Sequence, residues 1–205
     1  MDEVDPTALF ERMYVAAAAG DDGVPWDRGG PHPLLEQWAG NVDGRGRRAL
    51  VVGSGLGADS EFIAERGFDV IGFDVSPTAI ATCQRRFADS VVDYRVADLL
   101  DLPSAWMHAF DFVLESLTVQ SLPVRYHAHA TANVASSVAP GGTLLVIATA
   151  RDEVDGPPDG PPWPLTRREV EAFAGEGLDP VRIECVQDPG VPPRWRAEFS
   201  RLCQS

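Results

Sequence analysis

Lysine does not occur anywhere in the 205 residues, so all 17 basic side chains are arginine. That excludes Schiff-base chemistry and a lysine-bearing phosphate loop. Basic charge is scarce in general: 31 carboxylates against 17 arginines leave a net charge of -14. A nucleic-acid partner needs a basic face, and this composition argues against one. No apolar run approaches the roughly 20 residues a membrane helix requires, so no membrane association is expected. The first residues, MDEVDPTALFERMY, lack the basic and apolar regions of a signal peptide. Cysteine is limited to Cys83, Cys185 and Cys203, far apart and never in CxxC spacing. They read as free thiols used for packing in a reducing compartment, and no metal site is expected. These absences together predict a cytoplasmic protein; a monomer or weak dimer is expected. No internal repeat is visible.

What is present is an alternation of β-rich apolar runs with helical periodicity. It predicts an α/β, Rossmann-like fold: a seven-stranded, mostly parallel sheet with helices on both faces. Strands are expected at about Ala49–Val52, Val70–Phe73, Val91–Val96, Phe112–Leu114, Thr143–Thr149, Val181–Val186 and Arg194–Phe199. Helices are expected at Asp59–Arg66, Pro77–Asp89, Val124–Val138 and Thr166–Gly175. Ser76 followed by Pro77 is a helix-start signal, and APGG, Ala139 to Gly142, is read as closing the helix before TLLVIAT.

Two regions stand outside this alternation. Residues 1–46 open with a helix and continue into the Gly/Pro-rich loop GDDGVPWDRGGPHPLLEQWA; residues 151–164, RDEVDGPPDGPPWP, form a proline-dense loop. Loops of this length are usually functional or disordered. Both are expected to fold over the C-terminal edge of the sheet, where open α/β sheets bind ligands. The chain is therefore divided into an N-terminal helix and lid, 1–46, and one globular unit, 47–205.

The chemistry starts at RRALVVGSGLGADSEFIAERGFDVIGFDVSPTAI, Arg47 to Ile80. Gly53, Gly55 and Gly57 follow a strand and open a helix, and Asp74 ends the next strand, about 20 residues beyond the first glycine, where a carboxylate can grip ribose hydroxyls. A dinucleotide, S-adenosylmethionine, or a tight turn with no ligand would each suit this pattern. Details separate them. The dinucleotide pattern wants glycine where this chain has Ala58, an allowed variant, and the following Asp59 would repel a pyrophosphate at the helix N-terminus. S-adenosylmethionine brings a cationic sulfonium and an ammonium, which suit an acidic pocket. Further acids follow in order: Asp98 in YRVADLLDLP, placed with the N–H of Leu99 for an adenine ring, and Glu115 in FDFVLESLTVQSLP.

VVGSGLG, GFDVS, VADLLDLP, FDFVLESL and VAPGGTLLV resemble a class I S-adenosylmethionine-dependent methyltransferase across Arg47 to Thr149. VPWDRGGPHPLL before the first strand and DGPPWPLTRREVEAF after the fifth are similar to the thiopurine S-methyltransferase-like branch, which includes halide/thiol methyltransferases. The resemblance implies S-adenosyl-L-methionine as cofactor. It places Trp26 over the methionine end, its aromatic face toward the sulfonium. Gly53, Ser54, Gly55 and Gly57 would line the methionine carboxylate and ribose, Asp74 and Val75 the ribose hydroxyls, and Asp98 with Leu99 the adenine. Glu115 and Ser116 would sit closest to the transferred methyl. One departure stands out: the branch has Arg or Tyr at the position of Ser116, so its substrates do not transfer with the motif.

A small-molecule methyl acceptor is the expected partner. A thiol or other soft nucleophile is the first reading, an O- or N-methyltransferase of a natural-product scaffold the second. A NAD-binding oxidoreductase is a distant third, because no Tyr/Lys or His/Asp catalytic pair is evident; a non-catalytic cofactor-binding protein stands with it. Glu115 is the first candidate base. His32, in the lid loop between two prolines, reads either as a substrate contact or as plain loop. His127 and His129, two apart on a helix, face different directions and are expected to be solvent-exposed.

Overall fold

Strand β1, Arg48–Val52, is buried at every residue after the first, and β2, Asp69–Asp74, shows the same pattern. Runs apolar on both faces belong to parallel strands covered by helices on each side, and the pairing Leu50 to Ile71 is parallel. The computed structural model describes residues 8–20, 23–40, 42–154, 156, 159–175 and 177–203. The expected lid, 1–46, and the proline-dense loop, 151–164, lie partly outside these described residues. The strands form one seven-stranded sheet in the order β3-β2-β1-β4-β5-β7-β6, with β3 at Asp93–Val96, β4 at Phe110–Ser116, β5 at Val138–Thr149, β6 at Leu178–Val186 and β7 at Arg194–Arg201. The last strand pairs antiparallel with both β5 and β6. The sheet is therefore mixed, as the expectation of a mostly parallel sheet allows.

The chain divides into two compact units, 1–98 and 99–205. In the first, helix α1, Ala8–Ala18, packs on α4, Pro77–Arg86, while α3, Ala58–Ala64, crosses from β1 to β2. Ser76 caps α4 through its hydroxyl, which accepts from the Ala79 N–H, and Pro77 occupies the first turn. In the second unit, α5, His127–Ser137, connects β4 to β5, and α6, Arg167–Glu171, precedes β6. Thr166 and Glu169 form a reciprocal capping box that starts α6, worth about 1 kcal/mol for the cap residue.

Three expectations need correction. The stretch read as continuous loop before β1 contains a further helix, α2, Pro33–Trp38. Its start signal is present in the sequence, since His32 caps it and Pro33 sits in the first turn, but the surrounding glycines and prolines conceal it. APGG does not close a helix. Val138–Thr149 is one strand whose register with β4 shifts between Phe110 and Phe112, and Gly141 has φ 76°. Helix α5 begins at His127, three residues later than expected, because Val124–Tyr126 after Pro123 winds as a 3₁₀ turn.

Gly57 caps α3 with φ 91°, and a Cβ there would stand 2.5 Å from the Tyr94 hydroxyl and 3.1 Å from Cys83 Sγ. Gly46 has a similar φ of 75° with nothing within 4 Å of such a Cβ. Left-handed backbone alone costs a side-chain-bearing residue about 1–2 kcal/mol. Gly57→Ala should lower stability by clearly more than Gly46→Ala in denaturant unfolding, because only the first adds a clash in a packed interior. Equal losses would mean that packing under the turn is loose.

Candidate functional site

The glycine turn is held by Asp74. Its Oδ2 accepts from the Gly55 N–H at 3.0 Å and its Oδ1 from the Ser76 N–H at 3.0 Å. The side chain is 7% exposed. Burial pushes its carboxyl above the ordinary value, while the backbone donors of Ser76, Gly55 and Val75 oppose that rise and the nearby Glu11 charge adds to it. Gly55 in turn has φ 54°, and its carbonyl accepts from the Cys83 thiol at 3.1 Å. Cys83 is buried, and burial pushes its thiol up to about 12. It serves packing, as expected, whereas Cys185 and Cys203 are exposed.

Over this turn lies an aromatic cluster from the N-terminal segment. Trp26 Nε1 donates to the Tyr14 hydroxyl at 2.8 Å, and the Trp26 ring meets Phe10 and Tyr14 edge-on, with centroids 6.0 and 5.7 Å away. Tyr14, Val24 and Ala79 form the buried centre of a group that includes Phe10, Met13, Ala17 and Leu56. Glu11 fastens α1 in place. Its carboxylate accepts from the Ser76 hydroxyl at 2.5 Å, the Thr78 hydroxyl at 2.6 Å and the Thr78 N–H at 3.3 Å. These hydrogen bonds, with that of Ser76 the largest cause, hold Glu11 below the usual carboxylate range. Neither Tyr14 nor Glu11 is among the residues expected from the sequence. The spacing Phe10, Met13, Tyr14, Ala17 is the i, i+3, i+4, i+7 stripe of a helix face and is the signal that could have found Tyr14; no such signal marks Glu11.

His32 is buried at the head of α2, where its Nδ1 accepts from the Leu34 N–H at 3.1 Å and its own backbone N–H donates to Asp59 Oδ1 at 2.7 Å. Its placement is that of a helix cap. Asp98 is half-buried just past β3. Leu99, which opens the second unit, gives its carbonyl to the Asn133 amide at 2.8 Å.

In the second unit Glu115 is 0% exposed. Its Oε1 accepts from the N–H groups of Thr118 at 2.8 Å and Val119 at 2.9 Å, and its Oε2 has no hydrogen-bond partner. Burial pushes the carboxyl up to about 7, against the two backbone bonds and the charge of His127. The clamped turn contains Leu117 at φ 64°, a conformation costing a leucine about 1–2 kcal/mol. Gln120 extends the clamp: its side chain accepts from the Thr149 N–H at 2.5 Å and its carbonyl from the Trp163 N–H at 2.6 Å. Ser116 is half-buried at the end of β4.

His127 corrects the expectation of exposure, being 5% exposed. Its Nδ1 lies 3.1 Å from Glu169 Oε1 and its Nε2 2.8 Å from the Leu122 carbonyl. Burial would raise Glu169, but hydrogen bonds from His127 and Thr166 and the Arg151 charge hold it down at about 2. His129 is exposed. Among the described residues no group of His, Cys, Asp and Glu is arranged to hold a metal, and no helix is long and apolar enough to cross a membrane.

The first unit suits a cationic, ribose-bearing cofactor. Asp74 and Glu11 supply negative charge beside an aromatic face. A Cβ at Gly55 would stand 3.2 Å from the Tyr14 hydroxyl and 3.7 Å from Trp26, so these two side chains lie directly against the turn. The strand–glycine-turn–helix unit, the Asp at the end of β2 and the antiparallel last strand define the class I methyltransferase fold. Residues 49–142 match a methyltransferase domain family. The chain is 30% identical over 190 residues to a 2-heptyl-1-hydroxyquinolin-4(1H)-one methyltransferase of Mycobacteroides abscessus, covering 85% of this chain and 80% of that one. It is 26% identical to a probable thiol methyltransferase of Arabidopsis thaliana, covering 87% of this chain and 80% of that one. An N-methyltransferase of Bradyrhizobium japonicum solved with S-adenosyl-L-homocysteine shares the fold at TM-score 0.72 and 20% identity, over 96% of this chain and 98% of that one. The chain belongs to the class I S-adenosyl-L-methionine-dependent methyltransferases.

Two expected outcomes follow from the acids. Asp98→Ala should weaken S-adenosyl-L-methionine binding by one to two orders of magnitude in calorimetric titration, the scale of a charged hydrogen bond of about 1.5–3 kcal/mol. Asp74→Ala should weaken binding and also lower the unfolding midpoint, since it releases the Gly55 and Ser76 N–H groups. Unchanged affinity in both variants would remove the two residues from the cofactor site.

Glu115 gives a pH test. Its folded value of about 7 lies above the ordinary 4.5, so the buried neutral form is favoured. The stability it contributes is complete below about 4.5 and is lost as pH rises through about 7, to a total of about 3 kcal/mol. Glu115→Gln removes this dependence. Denaturant unfolding should therefore show the variant gaining on the parent between pH 5 and pH 8; a constant difference would show that Glu115 is ionised throughout.

Proposed function

We propose that the chain methylates a small-molecule acceptor through an atom that is readily ionised near neutral pH, a thiol first and an acidic hydroxyl next. The observation that carries this reading is the enclosure of Glu115. It is sealed from solvent with one oxygen engaged by two backbone N–H groups, so it holds the turn after β4 and is poorly placed to take a proton from an acceptor. An acceptor that arrives as an anion needs no such help. The curated relatives support it: one is named for a 1-hydroxyquinolinone and the other for a thiol. The second name, with the PWD and GPPW segments, also favours the thiopurine S-methyltransferase-like branch.

S-adenosyl-L-methionine, when bound, supplies an electrophilic methyl on a sulfonium, open to in-line displacement. The protein's contribution is position and exclusion of water, for which well-aligned reactants account for roughly 7–11 kcal/mol. Trp26, Gly53, Ser54, Gly55, Gly57, Asp74, Val75 and Asp98 of the first unit are the residues proposed to hold the cofactor. The described residues 8–20 and 23–40 of the expected lid, 1–46, are proposed to cover it. In the second unit, Ser116 and the turn tied to Trp163 are proposed to face the acceptor.

A second reading has one observation in its favour. A carboxyl pushed up to about 7 is near the value at which a general base works best, which would suit a hydroxyl or protonated amine of a natural-product scaffold. Glu115→Gln separates the two once an acceptor is identified from a panel of thiols, selenols, halides and phenols. Retention of kcat within about tenfold fits the ionised acceptor. A loss on the order of 10²–10⁴ with cofactor affinity intact would establish Glu115 as the base.

A further inference from the structure

The turn that should receive the cofactor's amino-acid end has few donors left to offer. The N–H of Ser54 is given to the Phe73 carbonyl at 2.7 Å, that of Gly55 to Asp74, and that of Gly57 to the Ser54 carbonyl at 2.9 Å. The chain has no lysine, and carboxylates surround the turn: Asp74 beneath it, Glu11 on α1 and Asp59 in the first turn of α3. The methionine moiety nonetheless carries a carboxylate, which needs a donor.

Tyr14 provides one. Its hydroxyl is beside Gly55, 3.2 Å from where a Cβ would stand, and the side chain is 4% exposed. It accepts from Trp26 Nε1 at 2.8 Å, so an acceptor role is already taken. What the hydroxyl has left to offer is its proton, since a phenol both accepts and donates. The cofactor's ammonium and sulfonium cannot accept a proton, and its ribose hydroxyls would be held by Asp74. The carboxylate is the group at that end which accepts. Tyr14 is also held at a fixed height, because Glu11, one helical turn earlier, pins α1 to Ser76 and Thr78.

We propose that Tyr14 is a cofactor-binding residue whose hydroxyl donates to the α-carboxylate of S-adenosyl-L-methionine. The inference rests on the cofactor assignment and is independent of the identity of the acceptor. Trp26 thereby gains a second role, because its indole N–H fixes the rotation of the hydroxyl so that the proton faces the ligand.

The test is a cycle between one protein group and one ligand group. Calorimetric titration compares S-adenosyl-L-methionine with its decarboxylated analogue, on the unmodified protein and on Tyr14→Phe. The variant should bind the full cofactor at least about tenfold more weakly, and the decarboxylated analogue within about twofold of the parent. Equal weakening of both would make Tyr14 a packing residue and overturn the proposal, as would no change in either. Should Tyr14→Phe fail to fold, the full-length protein labelled with 3-fluorotyrosine reads the same bond by ¹⁹F NMR. One of its three tyrosine resonances should move with the full cofactor and not with the analogue; identical spectra would overturn it. Failure of the unmodified protein to bind either ligand would strike the cofactor assignment itself, whereas the acceptor reading is untouched by any of these outcomes.

Discussion

Asp74 bonds two stretches of backbone at once, and the first unit is organised about that carboxylate. One oxygen fixes Gly55 in a left-handed conformation after β1, and the other fixes Ser76 at the head of α4. Ser76 then receives Glu11, which brings α1 and its aromatic residues over the turn. A carboxylate accepting backbone N–H bonds is a strong, directional anchor, but here it is buried and its charge is costly. That cost is offset in part by the two donors. A cation arriving beside it would offset more, which supports the proposal that the group clasping the turn also attracts a sulfonium cofactor.

The second unit repeats the device with a different outcome. Glu115 also lies near the end of a strand, but its one oxygen accepts from the successive N–H groups of Thr118 and Val119 and its second oxygen has no partner. Burial favours the neutral acid up to about pH 7, against the two backbone bonds. The carboxyl acts as a brace for a turn that contains a strained Leu117. Strain of this kind persists only where the surroundings over-determine the backbone. Gln120 and Trp163 supply the remaining constraint, tying the proline-rich segment to the same turn.

Much of this was legible in the sequence. The alternation of apolar runs and helical stripes located all seven strands, because β1, β2, β4 and β5 are buried on both faces and read as continuous hydrophobic stretches. The glycine turn and Asp74 were legible because their spacing is imposed by one strand–helix–strand passage. What was hidden depends on partners distant in sequence. His127 looked exposed because nothing near it announces Glu169, 42 residues on, or the Leu122 carbonyl. Tyr14 looked like an ordinary helix residue until Trp26 and Gly55 were brought to it. Helix α2 was missed for a local reason: its cap and proline are correct start signals set among residues that usually mean loop.

The choice between the two ligands that the glycine turn admitted rests on donors. A dinucleotide places its pyrophosphate against free N–H groups at a helix N-terminus. In this turn the N–H groups of Ser54, Gly55 and Gly57 are already engaged, and Asp59 stands in the first turn of the helix that follows. The engagement is not incidental, since it is Asp74 that holds Gly55, and Asp74 is also the residue proposed to hold the ribose. With three of its N–H groups engaged and Asp74, Glu11 and Asp59 nearby, the turn favours a cation over an anion. The lack of lysine acts in the same direction. The absence noted first in the sequence and the hydrogen bonds found in the structure therefore describe one property: a site short of donors and rich in negative charge, which fits a sulfonium and leaves its single carboxylate to be met by a hydroxyl.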